Sequence, residues 1–153
     1  VWLMTDMRDL YQELILDHSK SPRNFGHIDP SNRESKGHNP LCGDRFTIYA
    51  LVEDDRIKDV SFEGNGCAIS TASASMMTEM LKGLTIKEAQ NVFERFHNAM
   101  TGNDEGDALD DGLEKLQVLA GVRDYPMRVK CATLAWHTLK AALENASDTV
   151  VTE

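Results

Sequence analysis

The pattern of apolar and polar residues predicts a helix followed by a strand pair in the first part of the chain. Apolar residues at helical spacing predict a helix from Asp6 to about Ser19. The β-branched and aromatic run Phe46–Val52 predicts a strand, and the alternating run Ile57–Phe62 predicts a second strand with one solvent-facing side. The turn residues 53–56 between them indicate an antiparallel hairpin, and a short edge strand is expected near Ser35.

The second part of the chain is predicted to be mainly helical. A flexible loop at Glu63–Gly66 should lead into a helix from Ile69 to about Lys82, with Ser70 or Thr71 as its N-cap. Three further helices are predicted. The first is capped by Thr85, has Glu88 in its capping box and runs to about Met100. A short helix follows at Asp110–Leu119, and the last helix runs from Tyr125–Pro126 to about Asn145. We see no internal repeat or domain linker between them.

Composition and charge restrict the functions open to the chain. Its 153 residues match one ordinary domain, so we expect a single domain over residues 1–153 with fraying at 1–6 and 147–153. The formal net charge of -9 argues against nucleic acid and anionic membrane surfaces as partners. No apolar run could span a bilayer, and the first residues lack the pattern of a signal peptide. Three cysteines, an odd number, favour a reducing compartment, so we expect a cytoplasmic protein.

Three cysteines and one aspartate are the candidate chemical groups of the chain. Cys42 and Asp44 lie two residues apart on the Pro- and Gly-containing turn Asn39–Asp44, Cys67 follows a glycine loop, and Cys131 lies in the first turns of the last helix. No pair forms a CxxC motif, so the spacing alone is a weak signal for a metal. Each cysteine could instead be a small buried hydrophobe, and this alternative is strongest for Cys131 on the apolar face of its helix.

The positions of these groups also favour reactive thiolates and a metal. Helix N-termini and nearby cations lower the pKa of a thiol, and Arg128 and Lys130 flank Cys131. Three thiolates and a carboxylate suit tetrahedral zinc. Such a set leaves excess negative charge, which keeps the sulfur atoms nucleophilic and calls for cations such as these two. Transfer of sulfur fits this chemistry, since an activated thiolate attacks a persulfide by the displacement of thiol–disulfide exchange.

Other polar features of the chain indicate less. The five histidines share no spacing with a nucleophile and are expected at surface or helix positions, with His18 and His38 as secondary candidates near the polar loop. The acidic run 101–107 is interpreted as a solvated loop, since the spacing of an EF-hand calcium loop is absent. Gly64–Gly66 lacks the further glycine of a dinucleotide-binding fingerprint.

Several motifs together resemble one known family. The chain resembles the U-type, IscU-like iron–sulfur cluster assembly proteins, and within them the SufU branch. Lys130 stands where the IscU-type scaffolds place a histidine, and the acidic stretch 102–121 is similar to the insertion typical of the SufU branch. The segments that carry the resemblance are Leu10–Tyr11, Asp17–His18, Pro22–Asn24, Asn39–Asp44, Phe62–Met77 and Tyr125–Ala132.

The resemblance implies a fold, a metal and a partner. The implied fold is α+β, with a small three-stranded antiparallel sheet covered by helices. The implied cofactor is zinc held by Cys42, Asp44, Cys67 and Cys131, with Arg128 steadying charge at the site. Cys42 would accept sulfur from a pyridoxal-phosphate cysteine desulfurase of the SufS type and pass it to the Suf scaffold machinery.

Two alternatives to a zinc-dependent sulfurtransferase stay open at this point. The chain could be a scaffold on which a transient iron–sulfur cluster is assembled by the same residues. It could also be a non-catalytic interaction module that zinc stabilises. Metal content and stimulation of a desulfurase distinguish the three hypotheses.

Overall fold

The computed structural model describes residues 13–40, 43–101, 126–144 and 150–151. Residues 13–20 form helix α1. Three strands follow, namely β1 (Arg33–Asn39), β2 (Asp44–Glu53) and β3 (Arg56–Asn65). The remaining elements are helix α2 (Ala68–Leu81), helix α3 (Ile86–Thr101), helix α4 (Pro126–Leu143) and the short strand β4 (Val150–Val151).

A single sheet with the strand order β3-β2-β1-β4 is the centre of the fold. β1 and β3 pair with β2 in antiparallel fashion, which confirms the predicted antiparallel sheet and the presence of a strand near Ser35. The prediction that this strand is at the edge is wrong, because β4 pairs with the other side of β1. The sequence did not predict β4, which pairs in parallel with β1 through Gly37 and Val150. Val150–Val151 therefore forms a strand within the segment 147–153 that was expected to fray.

The β2–β3 turn follows from two aspartates in the left-handed region. Asp54 and Asp55 have φ of 54° and 59°, and Glu53 pairs with Arg56 across the turn. Two-residue hairpin turns of this kind need positive φ at both central residues, a conformation that Asp tolerates better than most side chains. The predicted hairpin turn at residues 53–56 is confirmed.

The predicted loop at Glu63–Gly66 is wrong for most of its length, because β3 continues to Asn65. Gly64 pairs with Phe46 and has φ of 136°. A Cβ atom at position 64 would lie 2.1 Å from the backbone oxygen of Arg45. Gly64 thus permits close approach of two strands, a role that glycine has inside strands as well as in loops.

The helices cover one face of the sheet and meet each other at small residues. In α2 the buried side chains near the start are alanines and serines, and the Oγ atom of Ser73 donates to the carbonyl of Ala132 in α4 at 2.5 Å. Helix α4 also lies directly on β1, since a Cβ atom at Gly37 would be 2.0 Å from Oγ1 of Thr138. Trp136 of α4 stacks on Phe96 of α3 with ring centroids 4.4 Å apart, which closes the core.

The helix predictions have three outcomes. The capping box of α3 is confirmed, with Thr85 N–H donating to Glu88 Oε1 at 3.0 Å and Glu88 N–H donating to Thr85 Oγ1 at 3.1 Å. The predicted N-cap of α2 is wrong, because the cap is Cys67 rather than Ser70 or Thr71. The predicted helix at residues 110–119 lies outside the described residues, as does the first part of the predicted N-terminal helix. None of the described helices is long and apolar enough to cross a membrane.

Candidate metal centre

Three of the four predicted ligands lie together at one end of the sheet, and each comes from a different element. Asp44 is the first residue of β2, Cys67 caps α2, and Cys131 lies in the second turn of α4. A carboxylate oxygen of Asp44 and the two Sγ atoms all lie within 4.8 Å of one another. The fourth predicted ligand, Cys42, lies outside the described residues, so its place at the site stays a prediction.

Asp44 is fully buried, and both of its carboxylate oxygens accept hydrogen bonds. The backbone N–H of Cys67 donates to Oδ1 at 2.9 Å, and the hydroxyl of Ser70 donates to Oδ2 at 2.5 Å. A buried carboxylate needs such donors, because removing it from water without new hydrogen bonds costs free energy. Gly66 leaves room for it, since a Cβ atom there would lie 3.1 Å from Oδ1 of Asp44 and 2.6 Å from Cζ of Phe46. These contacts fix the orientation of the carboxylate.

Cys67 occupies the N-cap of α2 and uses its sulfur as the capping acceptor. Its Sγ atom accepts the backbone N–H of Ser70 at 3.4 Å. The N-terminus of a helix carries partial positive charge, so the sulfur faces backbone N–H donors at this position. The Cys67 side chain is partly exposed, whereas Asp44 and Cys131 are buried. Solvent therefore reaches the cluster from the side of Cys67.

Cys131 is the most deeply placed sulfur of the cluster. It is 2% exposed, and the amide Nδ2 of Asn39 donates to its Sγ at 3.8 Å. Asn39 is fully buried at the end of β1. The hydroxyl of Ser70 also lies 3.1 Å from the carbonyl oxygen of Cys131, so it contacts groups from β2 and α4. Ser70 thus ties the segments that carry the ligands to one another.

Asn39 and Ser70 were not predicted as residues of the site. The available signals were their positions three residues before Cys42 and three residues after Cys67. In a polar turn and at a helix start, Asn and Ser are common for local reasons, since their side chains bond nearby backbone groups. Nothing in the neighbouring residues indicates that these two side chains are buried.

The donor atoms present fit zinc. Two sulfurs and a carboxylate oxygen are ligands that zinc accepts, and metal–ligand bonds of about 2.0–2.3 Å in a tetrahedron separate the ligand atoms by roughly 3.3–3.8 Å. The candidate ligand atoms all lie within 4.8 Å of one another, which allows this spacing. The buried site, with a hydrogen bond to each ligand residue, also provides the outer contacts that hold metal ligands in orientation. Sulfur ligands of this kind also suit the iron of iron–sulfur clusters.

The other predicted residues lie outside this cluster. Arg128 is exposed and Lys130 is half-buried on α4, and neither takes part in an ion pair with the described residues, so their supporting charge stays a prediction. His18 is buried in the α1–α2 contact, where Nδ1 lies 2.7 Å from Oγ of Ser75. His38 is half-buried on β1. Among the described residues, no histidine belongs to the cluster.

Comparison with known proteins gives a consistent set of relatives. Residues 10–132 match the model of the NifU-like N-terminal domain family. The zinc-dependent sulfurtransferase SufU of Bacillus subtilis is 42% identical over 131 residues, covering 86% of this chain and 87% of that protein. The iron–sulfur cluster assembly scaffold protein IscU of Thermotoga maritima is 40% identical, covering 90% of this chain and 95% of that protein.

A solved structure extends the likeness to the fold. The FiSufU protein of Fervidobacterium islandicum, described as a candidate iron–sulfur cluster assembly scaffold for the SUF system, superposes with a TM-score of 0.78 at 40% identity. The match covers 86% of this chain and 94% of that chain. The α+β architecture expected from the sequence motifs is therefore confirmed.

Proposed function

We propose that this chain, which belongs to the family of NifU-like N-terminal domains, acts as a zinc-dependent sulfurtransferase in iron–sulfur cluster assembly. The observation that carries the proposal is the cluster of Asp44, Cys67 and Cys131, in which Asp44 and Cys131 are buried. The 42% identity to a protein named as a zinc-dependent sulfurtransferase supports it further. The sequence motifs that resemble iron–sulfur assembly proteins agree with the family that the comparison found.

Asp44, Cys67 and Cys131 would hold the zinc ion, with Cys42 as the fourth ligand. Bound zinc would stabilise thiolate sulfur at neutral pH without redox chemistry of its own. Chain connectivity keeps Cys42 close to this site, because two Cα–Cα steps of about 3.8 Å place its Cα within about 7.6 Å of the Cα of Asp44. Zinc would thus be held by three ligands that the structure describes and by Cys42, which the sequence predicts to lie on a turn.

Cys42 would be the residue that accepts sulfur. Its thiolate attacks the outer sulfur of a persulfide carried by a cysteine desulfurase of the SufS type, which uses pyridoxal phosphate. A new S–S bond forms at Cys42 while the S–S bond of the donor breaks, and the donor cysteine leaves as a thiolate with the bonding electron pair. The exchange consumes no oxidant or reductant. The persulfide on Cys42 would then be passed to the Suf scaffold machinery.

A second candidate function is a scaffold for a transient cluster. The specific observation in its favour is the 40% identity to a protein named as a scaffold, together with thiolate donors that bind iron as well as zinc. Lys130 argues for the sulfurtransferase, since the resemblance places a histidine at this position in the scaffolds. The two functions predict different metals in the purified protein.

Metal content and the visible spectrum of the purified protein are the first test. A sulfurtransferase should contain about one zinc per chain and be colourless, because a closed thiolate site binds one zinc ion. Iron with sulfide-to-iron absorption would support the scaffold instead. Zinc without stimulation of a desulfurase would support a zinc-stabilised interaction module.

Substitutions then test the separate roles of the ligands. We expect Cys42→Ala to lose sulfur acceptance and to keep most of the fold, since the other ligands are anchored by buried contacts. We expect Asp44→Ala and Cys67→Ala to lose zinc and to lower the free energy of unfolding, because metal binding and folding are coupled. Sulfur transfer that persists in Cys42→Ala would rule out the role assigned to this residue.

A further inference from the structure

Asn39 connects the sheet to a buried sulfur of the metal centre. It is the last residue of β1, and its side chain is fully buried. An amide that is withdrawn from water needs hydrogen-bond partners inside the protein. One partner is the Sγ atom of Cys131, which lies 3.8 Å from Nδ2 of Asn39. The two residues are 92 positions apart in the chain, so this contact forms where α4 packs on β1.

The backbone of Asn39 adjoins two further predicted ligands. Asn39 pairs with Asp44 in the register of β1 and β2. Its carbonyl oxygen accepts the N–H of Gly43 at 2.8 Å, which closes a turn over residues 39–43. Cys42 belongs to this segment of the sequence. Of these contacts, the one with Cys131 depends on the side chain of Asn39, so a substitution can remove it and keep the backbone bond.

An amide that donates to a thiolate changes the sulfur in two ways. It fixes the orientation of the sulfur toward a metal, as the partners of metal ligands do. It also stabilises the negative charge, which makes the sulfur a weaker nucleophile. Cys131 is buried as well, whereas Cys67 is partly exposed. Burial and a side-chain donor together suit a ligand that stays on the metal.

We propose that Asn39 is a positioning residue that keeps Cys131 bound to zinc while sulfur is transferred at another ligand. The proposal rests on the proposed function, in which Cys42 accepts the sulfur. A thiolate that attacks a persulfide uses the electron pair that it shared with zinc, so the remaining ligands have to hold the ion. The amide of Asn39 strengthens this hold, because it orients a buried sulfur.

The variant Asn39→Leu removes the amide, because leucine has the same branched skeleton as asparagine and no hydrogen-bond donor. Asn32→Leu is the matched control, since Asn32 directly precedes β1 at its other end. The side chain of Asn32 donates to the carbonyl of Val52 at 2.7 Å and accepts the N–H of Val52 at 2.8 Å. Both variants lose the bonds of one amide, so both should lower the free energy of unfolding measured in urea. The bonds lost in the control go to backbone and not to a ligand.

Cobalt(II) in place of zinc provides a spectroscopic readout of the sulfur ligands. Its near-ultraviolet absorption arises from charge transfer from sulfur to cobalt, and a donor on the sulfur raises the energy of that transition. We expect this absorption to move to longer wavelength in Asn39→Leu and to keep its position in Asn32→Leu. In competition with a zinc chelator, zinc affinity should fall about tenfold or more in Asn39→Leu and stay within about twofold of wild type in the control.

The outcomes separate this role from the proposed function. An unshifted absorption and wild-type zinc affinity in Asn39→Leu would overturn the role of Asn39 and leave sulfur transfer intact. An equal loss of affinity in both variants would show that Asn39 acts through the stability of β1 alone, which also overturns it. A wild-type protein that holds zinc but accepts no sulfur from a cysteine desulfurase would instead overturn the proposed function, whatever the spectra show.

A measurement on the wild-type protein needs no variant to fold. In protein loaded with a magnetic isotope of cadmium, nuclear magnetic resonance detects scalar coupling between the metal and a proton that is hydrogen-bonded to a metal-bound sulfur. We expect this coupling at a side-chain amide proton of Asn39. Fully loaded protein without the coupling would contradict a hydrogen bond from Asn39 to a sulfur that holds the metal.

Discussion

Replacing Ser70 with alanine should weaken zinc binding while leaving helix α2 in place. The substitution removes the hydroxyl that donates to Oδ2 of Asp44 at 2.5 Å. The N-cap is retained, because the sulfur of Cys67 still accepts the backbone N–H of Ser70, although it loses its own 3.4 Å contact with the hydroxyl. Alanine is also a good helix former at an interior position. The change thus removes the contacts of one hydroxyl with Asp44, with the sulfur of Cys67 and with the carbonyl of Cys131, while the helix itself is kept.

The magnitude follows from the kind of bond that is lost. A hydrogen bond to a charged group contributes about 1.5–3 kcal/mol, and each 1.4 kcal/mol corresponds to a factor of ten in an equilibrium constant. If most of this energy orients Asp44 for the metal, zinc affinity should fall by roughly 10- to 100-fold, the range measured when partners of metal ligands are removed. The carbonyl of Cys131 loses a contact at 3.1 Å as well.

Ser73→Ala is the matched control, since it removes a buried hydroxyl one turn further along the same helix. The hydroxyl of Ser73 donates to the carbonyl of Ala132 and accepts from Nε1 of Trp136 at 3.0 Å, and it contacts no ligand side chain. Its loss should lower the free energy of unfolding by about 1–3 kcal/mol because the indole N–H becomes unsatisfied. Zinc affinity should stay near the wild-type value.

The assay is competition with a zinc chelator of known affinity under reducing conditions, with urea unfolding of each variant alongside. The expected result is a separation of the two effects, with affinity lost in Ser70→Ala and stability lost in Ser73→Ala. Wild-type zinc affinity in Ser70→Ala would show that the hydroxyl does not orient the ligand. An equal loss of affinity in both variants would show that any weakening of the α2–α4 contact is sufficient, and would refute the reasoning.

Two further predictions concern stability. Gly64→Ala should destabilise the fold more than Gly26→Ala by about 1–3 kcal/mol in urea, because both glycines have positive φ but only a Cβ atom at Gly64 meets backbone, and equal losses would contradict this. Burial, helped by the positive charges of His97 and Lys140, lowers the pKa of His137 below its usual 6.5. Between the lowered pKa of the folded state and pH 6.5, the unfolded state binds more protons than the folded state. The contribution of His137 to stability is therefore complete above pH 6.5 and is lost as the pH falls through the lowered pKa. His137→Gln should flatten the acid side of the stability profile measured by urea unfolding, and an unchanged slope would count against this assignment.

The sheet could be predicted because its pattern is local. The alternation in Ile57–Phe62 and the β-branched run in Phe46–Val52 depend on which face of a strand is buried, and this leaves a period of two in the sequence. The loop prediction at Gly64 was wrong because glycine is common both in loops and where two strands approach closely. Only the neighbouring backbone of Arg45 decides between these roles, and it lies 19 residues earlier in the chain. The parallel pairing of Val150 with Gly37 is likewise too distant for a local pattern to indicate.

Three candidate ligands of the site could be predicted from residue type, and their contacts could not. Asp44, Cys67 and Cys131 were candidates because a thiol or carboxylate stood at a turn or helix start. Whether these residues come together depends on how α2 and α4 pack on the sheet. The spacing between the cysteines in the sequence does not indicate that packing. Motifs shared with a family supplied that information instead.

The misassigned cap of α2 shows why the outer contacts of the site were missed. Serine is the stronger N-cap by propensity, so the sequence favoured Ser70 for that role. In the structure the carboxylate of Asp44 accepts the N–H of Cys67, which fixes Cys67 before the helix begins and places Ser70 within its first turn. The serine hydroxyl is then free of a local capping role and donates to Asp44 instead. A tertiary contact therefore decides the local structure here, and the residue that caps the helix is the same residue whose sulfur we propose as a zinc ligand.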